Sequence, residues 1–320
     1  MKRKQSGFKI MMRLIKLVKP LAFFMVLAVI LGVTGFLCAI QITVVGSMTL
    51  LTAAGINGGL TIKTGCICII VFAVLRGFLH YGEQACNHYI AFKLLALIRD
   101  KVFKSLRRLT PAKLEGKDKG NLISLITSDI ELLEVFYAHT ISPICIAFLT
   151  SLVMLIFIGR YSIWLMLVAL AAYITVGIII PLVSSKFNKN IGMTYRENSG
   201  ALSGYVLDSM RGLLESIRYN STDTRLNEMN EKTDELNSLQ KKLKKIEGHN
   251  ISITDISIIF FSITMLLVAI CLYQKGTIGF DGLIISTVAM MSSFGPVAAL
   301  SNLAGNLTHT LASGESRLCI

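Results

Sequence analysis

Six apolar stretches alternate with charged stretches along the 320 residues of the chain. Each is close to the ~20 residues that an α-helix needs to cross a bilayer. The six predicted spans are residues 21–45, 64–89, 135–159, 161–183, 251–273 and 282–307. The pattern therefore predicts an all-α membrane protein with six transmembrane helices.

The longest charged stretch, residues 184–250, separates the fourth span from the fifth. Apolar side chains recur along it at spacings of three and four, which places them on one stripe of a helix. The run Asn220-Ser221-Thr222-Asp223 interrupts this repeat with residues that favour turns and helix caps. We therefore predict a helical hairpin with legs of roughly 30 residues, each about 45 Å long, that projects far outside the bilayer.

A second, shorter hairpin is predicted at residues 90–134. The apolar repeat of span two continues past its predicted end, so this helix should extend beyond the membrane. Thr110-Pro111 then supplies a cap residue followed by proline at a first helical position. A short helix should follow over 111–115 and end at Gly116, and a new helix should run from Asn121 into span three.

Composition and charge support this class and set an orientation. The chain is 53% apolar with a net charge of +13, and a soluble nucleic-acid module would not contain apolar runs of this length. Of the 32 Lys and Arg residues, only Lys63, Arg160 and Lys275 lie on the side opposite the hairpins. Because positive charge stays inside, both termini and both hairpins should be cytoplasmic, in a multi-pass protein of the cell membrane.

Residues 1–20 alternate basic and apolar positions, which predicts an amphipathic helix on the inner membrane face. A cleaved signal peptide fits less well, because the apolar run that follows is long and has no small-residue cleavage site. The seven cysteines are scattered and are interpreted as small apolar filler. We predict neither a metal site nor a catalytic constellation.

The polar residues of span two are the main candidates for a solute path. Arg76, His80, Glu83 and Asn87 are spaced by four, three and four, so they share one helical face. Ionisable groups in a bilayer normally face a cavity or one another. The face could line a path for a zwitterionic or anionic solute, or an Arg76–Glu83 network could fix helix packing, and the sequence leaves both open.

Further candidates lie on other spans. Gln41 and Asn302 are polar positions in or near spans one and six, and we add them to the candidate path. Pro143, Pro181 and Pro296 each remove a backbone donor within a span and should kink it. Gly295 and Pro296 are adjacent, so we predict a hinge there.

The order of spans and long hairpins resembles the type 1 transmembrane domain of ABC exporters. Within that family, residues 117–129 (Lys-Asp-Lys-Gly-Asn-Leu-Ile-Ser-Leu-Ile-Thr-Ser-Asp) resemble the pattern of the first cytoplasmic loop. Residues 123–143 and 293–300 are similar to the branch containing CydC, a thiol exporter subunit. The likeness places this domain at residues 21–311.

The resemblance implies roles for the hairpin tips. They would be coupling helices, at about 111–117 and 209–216, that seat on nucleotide-binding domains, and spans four and five would cross to a partner half-transporter. The candidate coupling residues are Pro111, Lys113, Leu114, Glu115, Asp118, Ser209, Met210, Arg211, Leu214 and Glu215.

The chain departs from the family in one respect. No stretch reads Gly-x-x-x-x-Gly-Lys-Ser/Thr and no ABC signature is present, so we predict no enzyme activity on this chain. ATP and magnesium would bind a nucleotide-binding domain elsewhere, and residues 312–320 resemble the start of a linker to it. The chain would then be a fragment, a truncated product or a permease served by a separate ATPase.

The resemblance implies a permease half of an ATP-driven exporter for a small solute, such as a thiol or amino-acid derivative. The alternative is a transport-inactive, membrane-embedded binding or regulatory subunit. The expected partners are membrane lipids, a nucleotide-binding domain, a second half-transporter and the solute, and nucleic acid is not among them.

Overall fold

The computed structural model describes residues 21–56, 59–109 and 141–317, and nearly all of them are helical. In chain order the elements are α1 (Ala22–Ala53), α2 (Ile62–Leu109), α3 (Ser142–Gly159), α4 (Ile163–Ile174), a π-helical turn (Thr175–Ile179), α5 (Ile180–Arg211), α6 (Leu213–Arg218), α7 (Thr222–Gln274) and α8 (Phe280–Arg317). The described residues contain no strand, and the predicted all-α fold is confirmed.

Within the described ranges, six helical segments are long and apolar enough to cross a membrane, as predicted. They lie in Ala22–Ala53, Ile62–Leu97, Ser142–Gly159, Ile163–Ser185, Thr222–Gln274 and Phe280–Ser301. The first runs eight residues beyond the predicted end at Val45. The predicted amphipathic helix (1–20), the tip of the first hairpin and the start of span three at Val135 lie outside the described residues.

The core of the bundle is formed where α1, α3, α4, α7 and α8 pack together. Its largest fully buried side chains include Ile40, Met154, Ile158, Leu165, Met265 and Met290. Lipid tails are as apolar as these side chains, so close packing and hydrogen bonds, rather than exclusion from water, hold such helices together. The shape of the contact surfaces therefore determines how the spans are arranged.

Glycines on α1 show how closely the helices approach. A Cβ placed on Gly32 would overlap the Cδ1 atom of Ile146 on α3 and lie 3.3 Å from the carboxyl carbon of Glu83 on α2. At Gly35 the nearest atom, Cβ of Leu79, would be at an ordinary 3.5 Å, and at Gly46 nothing lies within 4 Å. Only Gly32 of these three is required for a close three-helix contact.

Between the fourth and fifth spans, α5, α6 and the first half of α7 form a helical hairpin, which we call the extension (residues 186–250). At its tip, α5 ends before Gly212 and α7 begins at Thr222. Asn220 adopts φ 50°, a left-handed conformation that asparagine tolerates. The predicted turn at 220–223 thus lies where α7 begins.

Hydrogen bonds between described side chains join the two legs of the extension, among them Asn198 to Glu235 (3.1 Å), Tyr205 to Glu228 (2.6 Å) and Arg225 to Ser209 (3.1 Å). The Arg225 guanidinium and the Lys232 ammonium lie 5.8 and 5.5 Å from the centre of the Tyr205 ring. All of these contacts are at the surface or only partly buried.

The prolines of the spans are accommodated in different ways. Pro181 lies in the first turn of α5, directly after the π-helical turn. Proline has no backbone N–H to donate, and the wider π-helical turn changes the pattern of backbone hydrogen bonds just before it. Pro143 lies in the first turn of α3. Helix α8 continues without interruption through Pro296, so the predicted hinge lies within a continuous helix.

Candidate functional site

The four polar residues predicted on span two do lie on one face of α2, but they differ in exposure. Arg76 and His80 are exposed, whereas Glu83 and Asn87 are only 6% and 5% exposed. The large exposed apolar side chains Phe78 and Tyr81 project about half a turn away around the helix. The polar face is therefore distinct from the apolar face of α2.

Glu83 is the centre of the polar cluster. One of its carboxylate oxygens, Oε2, lies 3.2 Å from Nδ1 of His80, and the other, Oε1, accepts a hydrogen bond of 3.4 Å from Nδ2 of Asn87. Oδ1 of Asn87 is buried and has no hydrogen-bond partner. The cluster thus combines a buried carboxylate, a buried amide and an exposed imidazole.

The other predicted members of the path are not brought into this cluster. Within the described residues no salt bridge joins Arg76 to Glu83, which lies about two helical turns away. Gln41 is half-buried on α1. Asn302 belongs to α8, but its side chain lies outside the described part of the structure.

Sequence reasoning missed a cavity of about 470 Å³ within the spans, between α3, α4, α5 and α8. Its lining is mostly apolar, with the hydroxyls of Ser151, Tyr173 and Ser185 as polar groups, and the π-helical turn contributes Gly177 and Ile178. The volume falls in the range of ligand-binding pockets. Small residues at Ala147, Ser151 and Gly177 are the only sequence signal that could have indicated it.

The described hydroxyl groups of helix α8 form hydrogen bonds with three other helices, a contact mode typical of membrane bundles. The pairs are Ser292 with Thr43 of α1 (2.6 Å), Ser293 with Tyr173 of α4, and Ser301 with Thr254 of α7 (2.8 Å). Asn250 of α7 also donates to the backbone carbonyl of Ser301, at 3.1 Å. The predicted hinge residues Gly295 and Pro296 lie between these attachments.

The tip of the extension exposes large apolar side chains. Met210 and Leu214 are 71% and 74% exposed, and Tyr219 is 83% exposed. The helix at the tip, α6, spans Leu213–Arg218, whereas the resemblance placed the second coupling helix at about 209–216. Gly212 ends α5 and produces this offset, because its carbonyl and amide take part in the turn between the two helices.

The polar coupling candidates surround this apolar tip. Arg211 and Glu215 are exposed, and Ser209 accepts the hydrogen bond from Arg225. The candidates of the first hairpin lie outside the described residues: Pro111, Lys113, Leu114, Glu115 and Asp118. Below the tip, the hydrogen bond to the Glu228 carboxylate raises the pKa of Tyr205.

Comparison with known proteins gives several relatives, all named as transporters. A probable ABC transporter ATP-binding/permease protein of Haemophilus influenzae is 44% identical over 317 residues, which is 99% of this chain and 57% of the relative. The glutathione/L-cysteine transport system protein CydC of the same organism is 23% identical over 55% of this chain and 31% of its own length. An ATP-dependent lipid A-core flippase of Shewanella denitrificans is 24% identical over 57% of this chain and 30% of its own length.

These relatives correct one prediction. The absence of nucleotide-binding motifs led us to predict no enzyme activity on this chain, with ATP bound by a domain elsewhere, and that prediction is wrong. The relative aligned along 99% of the chain is an ATP-binding/permease protein, and the chain spans 57% of its length. The 320 residues correspond to a membrane domain, so their motif content does not decide whether the protein is an enzyme.

The family assignment comes from the membrane spans themselves. The model of the ABC transporter transmembrane region matches residues 21–297, which contain all six spans except the last residues of the sixth. The resemblance to ABC exporter membrane domains is thereby confirmed, and relatives of the CydC type are among the matches. This multi-pass membrane chain belongs to the ABC transporter transmembrane-region family.

Proposed function

We propose that the chain is the permease part of an ATP-driven exporter that moves a small solute across the cytoplasmic membrane by alternating access. The observation that carries this proposal is the extension: two long helical legs that project from the spans and end in an exposed apolar tip. Isolated exposed apolar residues are common, but Met210, Leu213, Leu214 and Ile217 are all exposed within eight consecutive residues at the tip. Such an exposed apolar segment supports docking of another protein surface.

The docked surface in this proposal is a nucleotide-binding domain that binds ATP and magnesium. The name of the Haemophilus influenzae relative joins ATP-binding and permease functions, which supports a motor linked to this membrane domain. A second half-transporter, identical or different, completes the pathway. Both termini and the extension are cytoplasmic in this proposal, because nearly all Lys and Arg residues lie on that side.

The proposed solute contact is the exposed half of the α2 polar face. Arg76 and His80 are accessible and do not project with the apolar residues of α2, so they can contact a charged or zwitterionic solute. A thiol or amino-acid derivative fits this chemistry, and one relative carries a glutathione/L-cysteine name. Glu83 and Asn87 are covered and act from behind this surface.

A second candidate function, movement of a lipid-like molecule, is favoured by the apolar cavity between α3, α4, α5 and α8. Its volume of about 470 Å³ and apolar lining suit a hydrocarbon chain better than a charged solute. The match to a lipid A-core flippase gives this candidate a relative as well. The two candidates use different surfaces, so variants can separate them.

The docking proposal is tested at the tip. In proteoliposomes containing the protein together with its ATP-binding part, Leu214→Asp should reduce both transport and solute-stimulated ATP hydrolysis while membrane expression stays normal. A charge at this exposed position would be costly only if it is buried in a docked interface. Leu226→Asp is the matched control, because Leu226 is also exposed (54%) but lies on α7, beyond the tip.

A double replacement, Arg211→Ala with Glu215→Ala, should uncouple ATP hydrolysis from transport, because both residues flank the apolar tip. Wild-type transport in Leu214→Asp, or ordinary solute-stimulated hydrolysis in the double variant, would exclude the tip as a coupling surface. Co-purification of the membrane domain with an ATPase that never supports transport would favour the regulatory alternative.

Substrate class is tested with a panel of cysteine, glutathione, peptides and lipids. Arg76→Ala should lower transport of a charged solute at unchanged expression, whereas Ser151→Phe should fill the cavity and affect only a lipid-like substrate. If Arg76→Ala leaves the transport of every panel member unchanged, the α2 face is not a solute path.

A further inference from the structure

Glu83 is the one charged residue that is buried in the described part of the chain. Burying an ionised carboxylate away from water is costly unless a cation compensates for it. Its nearest ionisable neighbour is His80, whose side chain is 62% exposed. This environment requires an explanation beyond helix packing.

Among the described residues, the helices around Glu83 supply no permanent positive charge. Helix α1 approaches with Gly32, and α3 approaches with Ile146. Neither helix contains Asp, Glu, Lys, Arg, His or Tyr. Their titratable side chains are Cys38 on α1 and Cys145 on α3. On α2 itself, Cys86 is nearby and Arg76 lies about two turns away without an ion pair to Glu83.

We propose that Glu83 takes up and releases a proton within the membrane, and that His80 passes this proton between the exposed face of α2 and the buried carboxylate. The ring of His80 links the two environments, with Nδ1 at 3.2 Å from Oε2 of Glu83. A hydronium ion protonates Nε2 and leaves water, and the Nδ1 proton moves to Oε2. Only N–H and O–H bonds change, and Glu83 goes from a carboxylate to a neutral acid.

Asn87 provides a hydrogen-bonding arrangement for both states of Glu83. With the carboxylate ionised, Nδ2 of Asn87 donates to Oε1, and the buried Oδ1 atom is left without a partner. A protonated carboxyl group becomes a donor. Half a turn of the Asn87 amide would present Oδ1 to that new O–H group, so the unpartnered atom is the acceptor that the second state needs.

The test uses infrared spectroscopy of the full-length protein in lipid nanodiscs, so it does not depend on which solute is transported. Acidification over the range in which the protein stays folded should produce a carboxylic-acid C=O band. The band should shift in heavy water because the acid proton exchanges. It should be absent from Glu83→Gln, which keeps the shape and the hydrogen-bonding capacity of the side chain.

Glu231→Gln is the matched control, because Glu231 is exposed on the extension and should leave the band unchanged. Identical spectra of the wild type and Glu83→Gln over the whole range would overturn the proposal. A Glu83 band of constant intensity would do the same, because a permanently protonated residue exchanges no proton with the solution as a carrier must.

The role of His80 has its own readout. After a rapid pH change, the band of Glu83 should develop roughly 100-fold more slowly in His80→Gln than in the wild type, as for other positioned proton-transfer groups. A purely structural His80 would leave this rate unchanged, and that result would overturn the relay. His88→Gln is a suitable control, because His88 is exposed on α2 and stacks on Phe92 rather than contacting Glu83.

Discussion

The bundle of spans and the extension are built from the same long helices but are held together in different ways. In the bundle, residues such as Ala28, Ile158 and Ala169 are fully buried, and hydroxyl groups bond from helix to helix. Between residues 191 and 249, Ser216 is the one described side chain that is buried. Close packing and interhelical hydrogen bonds stabilise the bundle, whereas the extension depends on hydrogen bonds and charges at its surface.

This difference has a physical consequence for stability. Exposed polar contacts contribute little and are weakened by salt, whereas packed contacts in a membrane depend on the fit of the surfaces. Substitutions should therefore have large effects in the bundle and small effects in the extension.

The largest effect is expected for Gly32→Leu. Its side chain would overlap Ile146 and crowd Glu83, so we expect the free energy of unfolding to fall by about 1–3 kcal/mol, as for other overpacked sites. Thermal unfolding in detergent measures this change. Gly46→Leu is the control, because no atom lies within 4 Å of a Cβ there. Equal stability of the two variants would show that the stability of the bundle does not depend on close packing at Gly32.

A smaller loss is expected for Thr254→Val, which keeps the volume of the side chain but removes its hydrogen bond to Ser301 of α8. We expect a cost of about 0.6 kcal/mol, the average for such bonds between membrane helices. Thr264→Val on the same helix is the matched control, because Thr264 is only half-buried and its hydroxyl donates to the Phe260 carbonyl within α7. Denaturant titration of both variants would reveal whether the interhelical bond is worth more than the local one.

The smallest effect is expected in the extension, at the bond between Tyr205 and Glu228. The raised pKa of Tyr205 means that this contact contributes fully below about pH 10, the ordinary phenol value, and is lost as pH rises through the higher folded value. Glu228→Gln should lower the pKa of Tyr205, and Glu231→Gln should not. Phenolate absorbance, measured as the difference from Tyr205→Phe, follows the titration. An unchanged value in Glu228→Gln would show that the bond is absent in solution.

Periodicity and hydropathy predicted most of the fold, because spans and long amphipathic helices have strong local signals. The four polar residues of α2 share a face because their spacing follows the helical repeat. Which of them are buried depends on Gly32 and Ile146, which come from other helices, so the spacing alone could not separate Glu83 from Arg76. The cavity was missed for the same reason, because four helices and the π-helical turn together form it.

Two local features also limited the prediction. The π-helical turn at Thr175–Ile179 departs from the regular repeat of 3.6 residues per turn. A helical wheel for span four therefore no longer assigns residues beyond this turn to the correct face. At the tip, Gly212 rather than the downstream cap residues separates α5 from α6, which moved the short helix toward Arg218. Both depend on backbone geometry that a pattern of apolar residues does not encode.

Helix α7 runs for 53 residues without a break, from the tip of the extension through the fifth span. Its part before the predicted fifth span, residues 222–250, is about 43 Å long, so a tilt of about 5° where that span begins moves its far end by about 4 Å, roughly three-quarters of a helical pitch. A rotation this small requires little more than sliding of side chains in the bundle. Because α7 is continuous, a small rotation of the fifth span would displace the tip by about the size of a side chain.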